Sequence, residues 1–254
     1  LQVDVDVHAL LLDTERRHLR EPRWLDQPDP SVERIASAPL VDGDARGEFG
    51  DPFIELARAF ATARPTARSV VFLAVTAEEK LLLGSEYYAA HPLYPLATTV
   101  ANLNMDALRP TGPARDVSTA GDGGLTLQDD LIAVAKAQGR GFTPDPNPQA
   151  GSFFRSDHFS LAKRGVPAIS IGSGQDLVTG GRAAGAAWLA DYTANRYHQP
   201  ADEWNDSWDL AGVAADVRAR GWAWRWTARP SWPVTPLALV LAVAAIAADL
   251  LSSW

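Results

Sequence analysis

The most constraining feature of this chain is an apolar run that ends in two adjacent carboxylates. Residues 70–75 read Val-Val-Phe-Leu-Ala-Val, and Glu78 and Glu79 follow closely. A β-branched apolar run of this length is typical of a strand buried on both faces of a parallel sheet. Ligand sites in such sheets gather just beyond the carboxyl ends of the strands, which is where the two carboxylates lie. Taken alone, a solvated loop explains the pair equally well.

Two further segments favour a site. Residues 98–106 form a second β-like run that ends in Asp106, and His198 lies in a polar, turn-like segment. Carboxylate oxygen and imidazole nitrogen are ligand types of catalytic zinc, which typically takes three protein ligands and leaves one position for water. Glu79, Asp106 and His198 are therefore candidate ligands. Glu78 is the remaining carboxylate, which would take a proton from that water.

Five segments of the sequence resemble the zinc-dependent aminopeptidase family with co-catalytic metals, which has glutamate carboxypeptidase-like and glutaminyl-cyclase-like relatives. They are SVVFLAVTAEEKLLLG at 69–84, VANLNMDAL at 100–108, RSDHF at 155–159, KRGVPAI at 163–169 and YHQPADE at 197–203. No single segment is decisive, but five in the family's order and approximate spacing are not expected by chance. The resemblance covers roughly residues 53–215.

This resemblance implies a fold and a mechanism. The implied fold is an α/β three-layer sandwich, with a central, mostly parallel mixed sheet between helices. In the family, the position of Glu78 is the general base, and the positions of Glu79, Asp106 and His198 bind zinc. Asp157, in the Ser-Asp-His segment, is assigned to the substrate pocket or to the surroundings of the metal ligands. The implied reaction is hydrolysis of the N-terminal peptide bond of a peptide substrate.

The sequence departs from the family in its first half. It lacks the upstream His-x-Asp-His segment and the Gly-Ala-x-Asp-Asn segment, whose Asp bridges the two metals. Asp44 falls near the bridging position without the surrounding motif, and no histidine lies between His18 and His91. We therefore expect one zinc ion, against two in intact family members, and a weak or inactive peptidase. Loss in evolution and a gene-model or reading-frame error would each explain the departures.

The missing ligands leave two alternatives to a peptidase. One is a catalytically inactive homologue that acts as a binding module. The other is a single-zinc acyltransferase like the glutaminyl cyclases, which need only an Asp, a Glu and a His. The segments around Glu79, Asp157 and His198 are closer to the peptidases.

The two ends of the chain read differently from its middle. Residues 1–50 are predicted to be a divergent or incomplete N-terminal segment, 51–220 the peptidase-like domain, and 221–254 a Trp/Arg-rich and apolar tail. The apolar run at 237–251 is shorter than the about 20 residues of a membrane-spanning helix and contains Asp249. We expect a buried or aggregation-prone helix there, with membrane contact through the tail as the less favoured alternative.

Composition excludes several classes of partner and chemistry. The net charge of −8 provides no basic field for nucleic acid. The absence of cysteine excludes disulfides and thiolate chemistry, and suits the cytoplasm or a bacterial envelope compartment. The family favours the envelope or secretion, although no signal peptide is visible in this sequence. Composition predicts neither the oligomeric state nor the preference for particular substrate side chains.

Periodicity and turn residues predict alternating strands and helices. We expect strands at 69–76, 98–104 and 166–171, helices at 53–63, 84–90, 125–138, 159–164 and 208–218, and a Gly/Ala-rich loop at 180–187.

Overall fold

A mixed β-sheet flanked by helices forms the core of the protein. The computed structural model describes residues 7–12, 19–20, 70–106, 108–121, 126–203, 206–216 and 239–245. Their architecture is an α/β sandwich, as the sequence predicted. The strands are β1 (Val7–Leu12), β2 (Leu19–Arg20), β3 (Val70–Val75), β4 (Thr99–Met105), β5 (Asp116–Thr119), β6 (Gly141–Thr143), β7 (Ala168–Ser173) and β8 (Leu239–Ala245). The helices are α1 (Leu83–Ala90), α2 (Thr126–Ala137), α3 (His158–Ala162) and α4 (Gly181–Asn195); residues 211–216 are also helical.

The sheet is parallel at its centre and mixed toward its edges. Its strand order is β2-β1-β3-β8-β4-β7-β5-β6. The pairs β3–β8, β8–β4 and β4–β7 are parallel, whereas β1–β3 and β5–β7 are antiparallel. Because β3 and β4 both run parallel to β8, their carboxyl ends meet at one edge of the sheet. That edge carries the candidate site.

The two strands that lead into the site were predicted correctly. Every residue of β3 is buried, which is why its sequence is apolar without alternation. Strand β4 is also buried along nearly its whole length, but it carries two fully buried amides, Asn102 and Asn104. Buried polar groups usually have partners; the amide nitrogen of Asn104 has two, whereas the side-chain amide of Asn102 has none among the described residues.

Helix α2 follows its predicted amphipathic pattern. Leu127, Leu131, Val134 and Ala135 are buried and share the spacing of one helix face. Asp129 lies on the exposed side of the same helix, as expected for a solvated carboxylate.

The apolar tail does not form the helix that we expected. Residues Leu239–Ala245 are strand β8, which pairs with β3 on one side and β4 on the other. A continuous apolar run has no periodicity that separates a buried helix from a buried strand. Pairing between two parallel strands decides the outcome here, and the sequence does not display that pairing.

The predicted Gly/Ala-rich loop is also wrong, because residues Gly181–Asn195 form helix α4. Alanine has the highest helix propensity, and its frequency here outweighs the cost of the glycines. Gly185 is buried, and a Cβ at that position would lie 2.2 Å from the carbonyl oxygen of Gln175. The glycine therefore allows the helix to approach the backbone at 175 closely. Strands β5 and β6 were not predicted at all.

Several expectations fall on residues that the structure does not describe. The predicted helix at 53–63 and the segment around Asp44 lie outside the described residues, as do most of 1–50 and 221–254. The three predicted divisions of the chain therefore stay predictions. None of the described helices is long and apolar enough to cross a membrane.

Candidate active site

Three of the predicted site residues lie directly beyond the carboxyl ends of β3 and β4. Glu78 and Glu79 begin a short 3₁₀ helix just after β3, and Asp106 directly follows β4. Since both strands run parallel to β8, this arrangement follows from the sheet topology. It also matches the usual location of ligand sites in α/β sheets.

The segment after β3 turns back sharply on the strand. Ala77, Leu81 and Leu82 adopt positive φ angles of 57°, 66° and 60°, which are uncommon for residues other than glycine. A Cβ on Gly84 would lie 2.3 Å from the carbonyl oxygen of Thr76, so α1 starts in close contact with the end of β3. This tight return presents Glu78 and Glu79 at the edge of the sheet.

Helices α1 and α3 join the Glu78–Glu79 segment to the Ser-Asp-His segment. The hydroxyls of Ser85 and Ser160 are 2.9 Å apart, and the Ser160 hydroxyl donates to Glu86 at 2.8 Å. Glu86 also pairs with Lys163 and Arg164. These contacts fix α1 against α3, so the residues that precede each helix are held near one another.

Glu79 and His198 are in direct contact. The Nε2 atom of His198 lies 2.9 Å from the Oε1 atom of Glu79. Both side chains are half exposed, at 52% and 58%, so a ligand or an ion has access to them. His198 adopts a positive φ of 56°, and its ring stacks on Tyr197 with centroids 3.9 Å apart. Segments far apart in the sequence thus supply two of the three expected zinc ligands as a pair.

Asp106 is held by a chain of hydrogen bonds that runs into the core. The hydroxyl of Ser156 donates to Oδ2 of Asp106 at 2.7 Å, and the amide of Asn104 donates to Ser156 at 2.7 Å. The same amide reaches the hydroxyl of Ser170 at 3.2 Å. Since Asn104, Ser156 and Ser170 are all buried, this chain fixes one face of the Asp106 carboxylate.

Glu78 lies among other negative charges. Burial, and secondarily the charges of Asp106, Asp157 and Glu79, raises the pKa of Glu78 to about 8. The Arg155 guanidinium acts in the opposite sense. At neutral pH, Glu78 therefore holds a proton, and a cation among these carboxylates would favour its release. A carboxyl with a pKa near neutrality is suited to both accepting and donating a proton.

Asp157 and its neighbour His158 are fully buried beside this cluster. Burial, and secondarily the charge of Asp106, raises the pKa of Asp157 to about 6, while the Ser85 hydroxyl lowers it. Burial lowers the pKa of His158 to about 4. Within the described parts of the chain, the ring nitrogens of His158 have no hydrogen-bond partner. His158 instead packs its ring edge-to-face against Phe153, with centroids 4.7 Å apart.

The donor types at this edge suit zinc, but the structure does not assemble the predicted ligand set. Carboxylate and imidazole are ordinary zinc ligands, held about 2.0–2.2 Å from the ion. Glu79 and His198 are together, whereas Asp106 is turned to Ser156. Among the residues that the structure describes, no three His, Asp or Glu side chains are placed to hold a metal ion. The assignment of zinc to these residues stays a prediction.

Sequence reasoning missed three residues that line this site. Burial raises the pKa of both Glu78 and Tyr197, and the charge of Arg155 opposes that rise at each. Ser156 holds Asp106, and Tyr197 covers the ring of His198. All three lie inside segments that the resemblance had singled out. The signal that could have identified them is their closeness in the sequence to Asp157 and His198. Their residue types alone do not predict what they do in the site.

Residues 53–220 match peptidase family M28. The fold is similar to that of the LapA aminopeptidase of Legionella pneumophila, at 15% identity and a TM-score of 0.46, covering 70% of this chain and 44% of that one. It is also similar to the aminopeptidase of Aneurinibacillus sp. strain AM-1, at 20% identity and a TM-score of 0.44, covering 75% and 41%. The chain thus spans less than half of each of these two proteins. No curated protein sequence matches it.

Proposed function

We propose that this chain, which belongs to peptidase family M28, is a zinc-dependent exopeptidase-type hydrolase that cleaves N-terminal peptide bonds. Membership of a peptidase family supports hydrolysis of peptides as the general activity. The aminopeptidase reaction, the dependence on zinc and the identity of the site residues are the parts that we propose. A peptide is the substrate partner, and the bacterial envelope or secretion is the proposed location.

The observation that carries the proposal is the position of Glu78. It lies at the sheet edge, next to the Glu79–His198 pair, and its pKa is raised to about 8. Strongly shifted carboxyl pKa values with identifiable charged neighbours are common at catalytic sites. A structural ion pair buried in the core can also shift the pKa of a neighbouring carboxyl group. The Glu79–His198 pair beside Glu78 is half exposed, so the raised pKa of Glu78 is not explained by such a pair.

Zinc would be held by Glu79, His198 and Asp106. The Glu79–His198 contact supports this set, because both side chains already lie within reach of one position. Asp106 would have to give its other carboxylate oxygen to the ion, since Oδ2 is engaged by Ser156. When bound, zinc supplies a Lewis acid that polarises a carbonyl and lowers the pKa of water toward about 7.

The chain's own residues supply the remaining chemistry. Glu78 would accept a proton from the attacking water and donate one to the leaving amine. Arg155 stabilises the charged form of Glu78, so it counteracts the three neighbouring carboxylates. Ser156 keeps Asp106 in a single orientation. Preorganised groups of this kind raise the rate because they need no rearrangement during the reaction.

We propose further that this activity is impaired. The sequence lacks the upstream histidine segment and the bridging aspartate segment of the family. Two divalent ions a few ångström apart repel strongly in a medium of low dielectric constant unless a carboxylate lies between them. The same departures favour, as the alternative, an inactive homologue that serves as a binding module. A single-zinc acyltransferase like the glutaminyl cyclases needs fewer ligands and is the third candidate.

Substitution of Glu78 tests the proposal. Glu78→Gln should retain zinc but lose about 10²–10⁴-fold in hydrolysis of an aminoacyl-anilide, because the proton carrier is gone. Asp129→Asn removes a carboxylate from the exposed face of α2 and serves as the matched control, with unchanged turnover.

Three other results would count against this function. Wild-type turnover in Glu78→Gln removes Glu78 from the mechanism. Zinc binding without any hydrolysis favours the binding module. Cyclisation of an N-terminal glutamine in place of anilide cleavage favours the acyltransferase.

A further inference from the structure

The turn that carries His198 needs an external support. His198 has a φ of 56°, a strained conformation for a non-glycine residue that persists only where the surroundings impose it. We refer to residues 197–203 as the His198 turn. It is closed by backbone hydrogen bonds from Gln199 to Arg196 at 2.8 Å and from Asp202 to Gln199 at 2.9 Å. These bonds close the turn but do not orient it toward Glu79.

A row of contacting aromatic rings links helix α4 to His198. The rings of Trp188 and Tyr192 are stacked, with centroids 5.0 Å apart and planes at 8°. Tyr192 contacts Tyr197 at 5.9 Å, and Tyr197 stacks on His198 at 3.9 Å. We refer to these four residues as the aromatic column. It ends at the imidazole that contacts Glu79.

Tyr192 contacts the His198 turn through three separate groups. Its ring contacts Tyr197, its hydroxyl donates to Oδ2 of Asp202 at 2.7 Å, and its carbonyl oxygen accepts from the backbone amides of Arg196 and Tyr197, both at 2.9 Å. The side-chain contacts thus fall near both ends of the turn.

The base of the column is itself held on α4. The guanidinium of Arg196 lies 5.4 Å from the ring centroids of both Trp188 and Tyr192, and it pairs with Asp191 at 2.8 Å. A cation over two stacked rings restrains them together. Tyr192 is therefore a fixed part of the helix end.

We propose that Tyr192 is a positioning residue, which sets the orientation of the His198 imidazole through Tyr197 and Asp202. The inference rests on the proposed function of His198 as a ligand, although the geometry that it concerns exists without metal. Aligning the imidazole before an ion arrives would raise affinity, since partners of metal ligands commonly contribute about 10- to 100-fold.

The test uses the full chain and three variants. Tyr192→Leu removes the ring and the hydroxyl, whereas Tyr192→Phe removes only the hydroxyl. Tyr87→Leu is the matched control, because Tyr87 contacts His91 in a second Tyr–His pair, with centroids 4.7 Å apart. The first readout is the ring proton resonance of His198 in the zinc-free chain with labelled histidine, which reports stacking on Tyr197. The second readout is zinc affinity by competition with a chelator.

The proposal predicts a graded response. In Tyr192→Leu, the His198 resonance should move toward its unstacked value and zinc affinity should fall about 10- to 100-fold. Tyr192→Phe should show a smaller change in the same direction. Tyr87→Leu should change the His91 resonance and leave His198 and zinc affinity unaltered.

Two results would overturn the positioning role of Tyr192. An unmoved His198 resonance in a natively folded Tyr192→Leu chain would overturn the proposal, and so would a moved resonance with unchanged zinc affinity. If Tyr192→Leu does not fold, Tyr192→Phe and Asp202→Asn, which keep side-chain volume, decide in the same way. If the unaltered chain binds no zinc, the proposed function fails, and the His198 resonance alone decides the positioning role.

Discussion

Asp106 and His198 belong to the same candidate site but are held by different means. Asp106 is anchored by Ser156 and Asn104, which are buried polar groups between strands and α3. His198 is half exposed and lies on a turn with a positive φ, held by stacked rings and a carboxylate. The Asp106 side of the site is therefore part of the core, whereas the His198 side is held at the end of a helix. The free energy of unfolding should depend mainly on the Asp106 side, and the geometry of ligand binding on the His198 side.

The largest expected effect is a pH dependence on the buried side. The pKa of His158 falls from 6.5 to about 4 in the folded chain. Between these values the unfolded state binds a proton and the folded state does not, so the stability contribution of neutral His158 is lost as pH falls from 6.5 toward 4. The effect is on the order of 3 kcal/mol. Urea unfolding of His158→Phe at several pH values should lack this loss.

Asp157 should oppose His158 over nearly the same range. Its pKa rises from 3.8 to about 6, so the folded state holds the extra proton and stability is lost as pH rises through 6. Asp157→Asn should therefore make the free energy of unfolding fall more steeply as the pH is lowered. His158→Phe should remove that fall. Identical pH profiles in both variants and the unaltered chain would contradict the burial of these groups.

A smaller effect is expected when the two sides are compared directly by mutation. Asn104→Leu deprives Ser156 and Ser170 of their buried donor and should cost about 2 kcal/mol of unfolding free energy. Glu79→Gln is the matched substitution on the exposed side and should cost less than about 0.5 kcal/mol, since exposed ion pairs contribute little. Denaturant unfolding measures both. Equal costs would show that the two sides do not differ in the way described.

The third and smallest effect concerns the strained turn after β3. Leu81 has a φ of 66° and is 88% exposed, so its backbone is strained and burial of the side chain does not compensate for the strain. Leu81→Gly should stabilise the chain by about 0.5–1 kcal/mol, because glycine adopts this conformation without a Cβ clash. Leu81→Ala is the control and should give no gain, since alanine keeps the Cβ. Destabilisation by the glycine would mean that Leu81 makes a contact that outweighs the strain.

The sequence predicted those parts of the fold whose pattern is local. The sequence predicted strands β3 and β4 because each is a run of consecutive buried, mostly apolar residues. It predicted helix α2 because apolar residues recur there at helical spacing. Strand β8 and helix α4 were misread for a related reason. Uniformly apolar or small residues carry no period, and partners elsewhere in the chain decide their structure.

The site could be predicted only in part. The positions of Glu78, Glu79 and Asp106 at one sheet edge follow from the carboxyl ends of two strands parallel to β8. His198 reaches Glu79 from a turn with a positive φ, with Tyr197 against its ring and Tyr192 against Tyr197, and no motif displays that geometry. The orientation of Asp106 toward Ser156 likewise arises from packing in three dimensions.

Zinc titration tests the central claim most directly. Zinc is added to the metal-free chain while bound metal is counted and cleavage of an aminoacyl-anilide is followed. We expect one zinc ion per chain with weak turnover, because Glu79, His198 and Asp106 would form at most a mononuclear site. Two bound ions with robust turnover, or no binding at all, would contradict it.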